Sequence, residues 1–181
     1  MGFPRRTTAP ELPVAVPGSG GRLRGVSESE TPAAAGAVAH PEGIGHVRLT
    51  VTDARRSKAF YGWLLGENAL RTDFTHLSGD PSVRDDPDRV YGGCSFTVGR
   101  QVLGLRPVAP AGDRFDPDRV GLDHLALTVG SRAELEAAAE RLAAAGVEHG
   151  EVTDLPGFRV TILSVQDPDG INLELSAPLQ P

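Results

Sequence analysis

The sequence predicts an α+β fold of two tandem βαβββ modules that share a cleft. Three observations predict it. The phrase Gly45-His46-Val47-Arg48-Leu49-Thr50-Val51 returns, 78 residues later, as Asp123-His124-Leu125-Ala126-Leu127-Thr128-Val129. Two candidate helix N-caps, Asp53 and Ser131, stand at the same offset. Each helical pattern is then followed by three strand candidates. Chance similarity of two strand–helix units is the competing reading, and the coincidence of strand, cap and helix favours duplication.

Residues 1–42 are rich in Pro, Gly, Ala and Ser and lack apolar periodicity. Such a segment cannot bury enough surface to offset its ordering entropy, so a disordered extension is expected. Module one spans 43–107. Its first strand, His46 to Val51, alternates polar and apolar residues, as a half-buried strand does. Asp53 caps a helix that Gly66 should stop. Ala59, Phe60, Trp63 and Leu64 recur at helical spacing, and Phe60 and Trp63 read as core. Strands are expected at Ala69 to Phe74, Tyr91 to Val98 and Gln101 to Arg106, with Gly99-Arg100 as a tight turn. The Pro- and Asp-rich stretch from His76 to Arg89 reads as a loop.

A linker over 108–120 carries several Pro and Gly breaks. Module two spans 121–178 and opens with a strand from His124 to Val129. Ser131 and Glu134 have capping-box spacing for a helix running through Leu135, Ala138 and Leu142 to Gly146. Strands are expected near Val147 to Thr153, Arg159 to Val165 and Ile171 to Leu175. Asp167-Pro168-Asp169-Gly170 is a strong turn signal between the last two.

Composition narrows the function. A chain of 181 residues with 39% apolar and 23% charged residues has an ordinary globular make-up. The net charge of −6 leaves no basic footprint for nucleic acid. No run approaches the ~20 apolar residues of a membrane helix. Prolines interrupt the segment after Arg5-Arg6, which argues against an export signal. The single cysteine, Cys94, excludes an internal disulfide and reads as a small apolar strand residue. A cytoplasmic protein without nucleic-acid or membrane partners is the expectation.

Alternate residues of a strand share a face. Val47, Leu49 and Val51 should lie on the helix, which turns His46, Arg48 and Thr50 the other way. Likewise His124, Ala126 and Thr128 oppose Leu125, Leu127 and Val129, and Glu174 opposes Leu173 and Leu175. Two imidazoles and a carboxylate on helix-free faces are a candidate ligand set, His46, His124 and Glu174, for Fe(II) or Mn(II), with Zn or Ni also suited. Each residue alone reads more simply as a solvated strand residue; their matched positions are what make the set. By the same parity Arg48 and Arg106 face the cleft, where a guanidinium can hold a substrate anion. Tyr91, His149 and His76 are candidate acids or bases.

The pattern resembles the vicinal oxygen chelate superfamily, which includes glyoxalases, bleomycin-resistance proteins, extradiol dioxygenases and fosfomycin-modifying enzymes. The carrying phrases are Gly45-His46-Val47, Phe60-Tyr61-Gly62-Trp63-Leu64-Leu65-Gly66, Asp123-His124-Leu125 and Asp167 to Leu175. The resemblance implies paired modules around a metal-binding cleft, with ligands from the first and last strand of each module. Of those four positions this chain fills three, because Gly104 stands where module one should supply its second ligand. That departs from glyoxalase-type members, which use four. The remaining set looks like that of the extradiol dioxygenases and the fosfomycin-modifying enzymes, although the larger ring-cleaving enzymes usually carry four modules. The resemblance thus implies a metal-dependent dioxygenase, lyase or transferase acting on a small molecule chelated through adjacent oxygens, with a homodimer as the expected assembly. The alternative is a metal-free protein that sequesters a drug or metabolite, as bleomycin-resistance proteins do.

Overall fold

The computed structural model describes residues 39–180. The expected extension over 1–42 therefore lies almost wholly outside the described residues. The fold is α+β, two βαβββ modules in sequence. Module one runs β1 (His46–Thr50), α1 (Ala54–Leu65), β2 (Leu70–Asp73), β3 (Cys94–Val98) and β4 (Gln101–Arg106). Module two runs β5 (Leu125–Thr128), α2 (Arg132–Ala144), β6 (Thr153–Leu155), β7 (Val160–Gln166) and β8 (Asn172–Pro178). Each makes a four-stranded mixed sheet, ordered β1-β4-β3-β2 and β5-β8-β7-β6. In both, the first strand pairs in parallel with the last and the other pairings are antiparallel.

The local signals act as expected. The Asp53 carboxylate accepts from the backbone N–H of Arg55 (2.8 Å) and Arg56 (3.0 Å). Ser131 caps α2 through the N–H of Glu134, and the Glu134 carboxylate reaches back to the Gly130 N–H at 3.0 Å. Gly99, at φ 56°, forms the β3–β4 turn. Leu135 and Leu142 of α2 are buried. Cys94 is buried, and burial pushes its thiol up to about 12, so it is not a nucleophile.

Three details differ from expectation. The buried face of α1 is Ala54, Ser57 and Tyr61, whereas Trp63 is 38% exposed with Arg141 lying over its ring. The helix is turned so that Tyr61 goes inward, where its hydroxyl finds a buried acceptor. Val147 to Thr153 is not a continuous strand: His149 makes one isolated bridge to Val165, and β6 begins only at Thr153. Tyr91 is not in β3; it sits in a tight turn before the strand, at φ 59° and ψ 29°, with Val90 also left-handed at φ 49°. Two consecutive residues with side chains in that region are strained. The turn is held by Tyr91 N–H to Asp86 C=O at 2.9 Å and Gly93 N–H to Val90 C=O at 2.9 Å.

The two modules are joined by the turn between β7 and β8. Asp167 and Asp169 on that turn are each only 4% exposed. One oxygen of Asp167 accepts from the N–H of Asp169 and Ile171, which shapes the turn; the other accepts from the Tyr61 hydroxyl of α1 at 3.1 Å. Asp169 accepts from the Thr52 N–H (2.9 Å) and hydroxyl (2.6 Å), and pairs with Arg56. Burial raises the Asp167 carboxyl above the usual carboxylate range and also raises the Tyr61 phenol, so the phenol keeps its proton and donates. The linker lies over the same turn, with Phe115 N–H on the Asp169 C=O and Arg114 on the Pro168 C=O, both at 3.0 Å. Apolar side chains of both modules merge into one buried cluster that includes Tyr61, Phe96, Leu105, Leu127, Leu163 and Leu175.

Asp169→Asn leaves donors of module one facing an amide in a nearly dry position. It should lower the unfolding free energy by about 2 kcal/mol in urea, while the exposed Asp116→Asn stays within about 0.5 kcal/mol; equal effects would remove the turn from this role. At Gly93 an added Cβ would stand 1.8 Å from the Leu105 carbonyl oxygen, backbone against backbone. Gly93→Ala should therefore cost about 3 kcal/mol or more in the same assay, and a neutral result would contradict the packing of the Tyr91 turn on β4.

Candidate functional site

Register fixes which residues share a face. Val47, Leu49, Leu103, Leu105, Cys94 and Phe96 pair across β1, β4 and β3 on the helix side. The opposite side is open. Across it run Arg48, Gly104 and Ser95 as one row, with Thr72 paired to Ser95, and His46 paired to Val102. Module two repeats the pattern with Ala126, Glu174 and Ser164 in one row. Gly104 and Glu174 thus hold the same place in the two sheets, as the sequence alignment of the closing strands expects. The row is inverted in character. Module one has a long cation beside a glycine, and module two has a small residue beside a carboxylate.

The notch at Gly104 is filled by its neighbour. A Cβ built on Gly104 would lie 3.2 Å from Arg48 Nε and 3.5 Å from Arg48 Cγ. The Arg48 guanidinium carbon also lies 4.6 Å from the Tyr91 ring centroid, and that of Arg106 lies 4.5 Å from it. A tyrosine ring attracts cations at this range. Arg106 reaches Asp85 at 3.2 Å, while its Nε is buried without a partner. Arg48 has no carboxylate partner among the described residues.

A cavity of about 280 Å³ opens on this face, lined by His46, Arg48, Arg71, Thr72, Ser95 and Gly104 among others, and no Asp or Glu lines it. Arg71 was not singled out by parity, because β2 has a register shift between Leu70 and Thr72. A bulge breaks the period of two and lets neighbouring residues serve one side. Thr72 and Ser95 hydroxyls bond each other at 2.6 Å at its floor. A larger cavity of about 690 Å³ lies between the end of β1, the linker and the β7–β8 turn. It is lined by Arg48, Arg114 and Arg119 and also by Asp113, Asp116 and Asp169.

His124 stands just before β5, exposed, with Nδ1 bonded to the Asp123 carboxylate. Asn172 donates to the Asp123 carbonyl at 3.3 Å. Glu174 is half-buried, between Ala126 and Ser164. His124 and Glu174 therefore share the open face of module two, as expected, and His46 lies on that of module one. They do not form one cluster in a single chain: among the described residues no three of His, Cys, Asp and Glu come together closely enough to hold a metal ion. The sequence leaves open whether the three ligands meet within one chain or across a dimer; in the single chain His46 belongs to one sheet and the other two donors to the second. One chain's residues do not by themselves fit the metal. His149 pairs with Val165, a buried residue of the helix side, so it does not join Glu174. His76 is exposed in a turn beside Phe74. No described helix is long and apolar enough to cross a membrane.

Residues 43–175 match the model of the Glyoxalase/Bleomycin resistance protein/Dioxygenase superfamily. No curated protein matches this chain. Among solved structures, a glyoxylase/bleomycin resistance protein/dioxygenase domain from Frankia sp. EAN1pec is 28% identical, with a TM-score of 0.58, over 77% of this chain and 93% of that one. The fosfomycin resistance protein FosX from Listeria monocytogenes is 20% identical, with a TM-score of 0.55, over 77% and 93%. Lactoylglutathione lyase from Agrobacterium tumefaciens is 17% identical, with a TM-score of 0.51, over 77% and 96%. The last two speak for the fold alone. With the duplicated modules, the register of the open faces and the family match over most of its length, the chain belongs to the glyoxalase/bleomycin resistance protein/dioxygenase superfamily.

Proposed function

We propose that this protein is a metal-dependent enzyme of the glyoxalase/extradiol-dioxygenase type, acting on a small molecule with adjacent oxygens, and that its site is completed by a second copy of the chain. The observation that carries the reading is the matched placement of His46 on one open face and of His124 and Glu174 on the other. A two-fold dimer that apposes module one of one copy to module two of the other would bring two histidines and a carboxylate together. That donor set suits Fe(II) or Mn(II), with Zn or Ni also accommodated, and a bound ion would supply Lewis acidity toward the substrate's oxygens. On this reading Arg48 and Arg106 hold the substrate's anionic group, and the Tyr91 ring orients both guanidiniums. Asp123 fixes the His124 ring by accepting a hydrogen bond from Nδ1–H, which leaves the Nε2 lone pair free to ligate. A buried, lone Cys94 suits a reducing cytoplasm.

A second reading, metal-free sequestration of a small ligand, is favoured by one specific observation: among the described residues of one chain no three donors come together.

Mixing of variants separates these readings. His46→Ala and His124→Ala should each lose Mn(II) after dialysis, measured by elemental analysis. Unfolded together and refolded as mixed dimers, they should regain about a quarter of the wild-type sites, because half the dimers carry one intact pair. A mixture that stays empty while the wild type binds would contradict a site shared between copies. A wild type that holds no ion would favour the sequestering protein.

A further inference from the structure

We propose that the open face of module one carries an oxyanion site of its own, formed by Arg48, Arg71 and His46 around Gly104, which binds the charged group of a ligand without metal. This rests on reading that face as the ligand face, and it does not depend on a metal or on a second copy.

Charge is the first argument. The chain as a whole carries −6. Yet the cavity of about 280 Å³ has two guanidiniums and an imidazole in its lining and no carboxylate. Arg48 and Arg71 have no acidic partner among the described residues, whereas Arg56, Arg89 and Arg106 of the same module each pair with an aspartate. Cations left side by side repel, and an anion between them relieves that repulsion with charge-assisted hydrogen bonds. The neighbouring 690 Å³ cavity, which Arg48 also borders, has three aspartates in its lining, Asp113, Asp116 and Asp169, whereas the 280 Å³ cavity has none.

Construction is the second argument. Arg48 is held between the Gly104 notch and the Tyr91 ring, and Tyr91 is presented by two consecutive left-handed residues. Strain of that kind persists only where the surroundings enforce it. The Thr72 and Ser95 hydroxyls line the same cavity and add donors of the type an oxyanion accepts. The repeat gives the third argument. At the position where module two has Glu174, module one has glycine, and the vacated space holds a guanidinium. The same row that presents a carboxylate in one module therefore presents a cation in the other. Gly104 is the specificity-determining residue, because even a Cβ there would crowd Arg48 Nε at 3.2 Å and a longer side chain would compete for its place. A volume near the lower end of small-molecule pockets suits a phosphate or carboxylate group with little attached.

The experiment is calorimetric titration of inorganic phosphate into the full chain with EDTA present at low ionic strength. Saturable binding with one site per chain is expected. Arg48→Gln and Arg71→Gln should each weaken it at least ~10-fold, and Gly104→Glu should abolish it by pairing with Arg48. Arg55→Gln, on the exposed side of α1, and His124→Ala should leave it unchanged. Acetate, titrated in the same way, tells a carboxylate-bearing ligand from a phosphate-bearing one, and saturable binding of either supports the site. No saturable binding of either anion, or binding that Arg48→Gln and Arg55→Gln weaken equally, would overturn it. Because EDTA is present and His124→Ala serves as a control, failure of the metal reading leaves this result intact, and the reverse also holds.

Discussion

Two buried carboxylates on one turn set how the two modules meet. Asp167 and Asp169 lie between β7 and β8, yet their acceptors serve Tyr61, Thr52 and Arg56 of the other module. An aspartate in so dry a place is costly unless its lone pairs are used. Here Asp167 is satisfied by two N–H groups and a phenol, and Asp169 by an N–H, a hydroxyl and a guanidinium. The requirement that every one of these bonds be made leaves little freedom in how the modules meet. The apolar cluster supplies the bulk of the driving force, but burial is non-directional and does not choose an angle. The turn does.

That constraint decides what the open faces can do. Each sheet has its helix on one side and polar residues on the other. Since the modules are tied near one end of β1 and β8, His46 stays with Arg48 and Arg71, and His124 with Asp123 and Glu174. The two faces carry opposite character in the same row. A face with unpaired guanidiniums seeks an anion, and a face with a half-buried carboxylate and an imidazole seeks a cation. On the proposed function, a ligand that is anionic at one end and offers oxygens to a metal at the other would meet both demands if two copies apposed these faces.

Much of this was legible in the sequence, and the limits have a physical form. The repeat, both N-caps, the Gly99-Arg100 turn and the orientation of His46, Arg48 and Glu174 follow from local rules: period-two alternation, side-chain capping and left-handed glycine. Three features were not legible. Arg71 joins the cavity through a bulge, and one inserted residue defeats parity. Tyr91 reads as a strand residue by propensity, whereas the turn ending at Gly93, which must fit against Leu105, throws it left-handed. Trp63 reads as core by helical spacing, but Tyr61 wins the inward position because its hydroxyl has a partner 106 residues away. Each miss comes from a contact distant in sequence. For His46, His124 and Glu174 the residue types and faces could be read, whereas the proposed meeting point between two copies is not a local property of the sequence.

The most direct test of the account is a crystal structure of the protein grown with Mn(II). The account predicts an anomalous peak within ligating distance of His46 of one copy and of His124 and Glu174 of another. An ion bound by His124 and Glu174 with no second copy near, or a dimer whose open faces point away from each other, would contradict it.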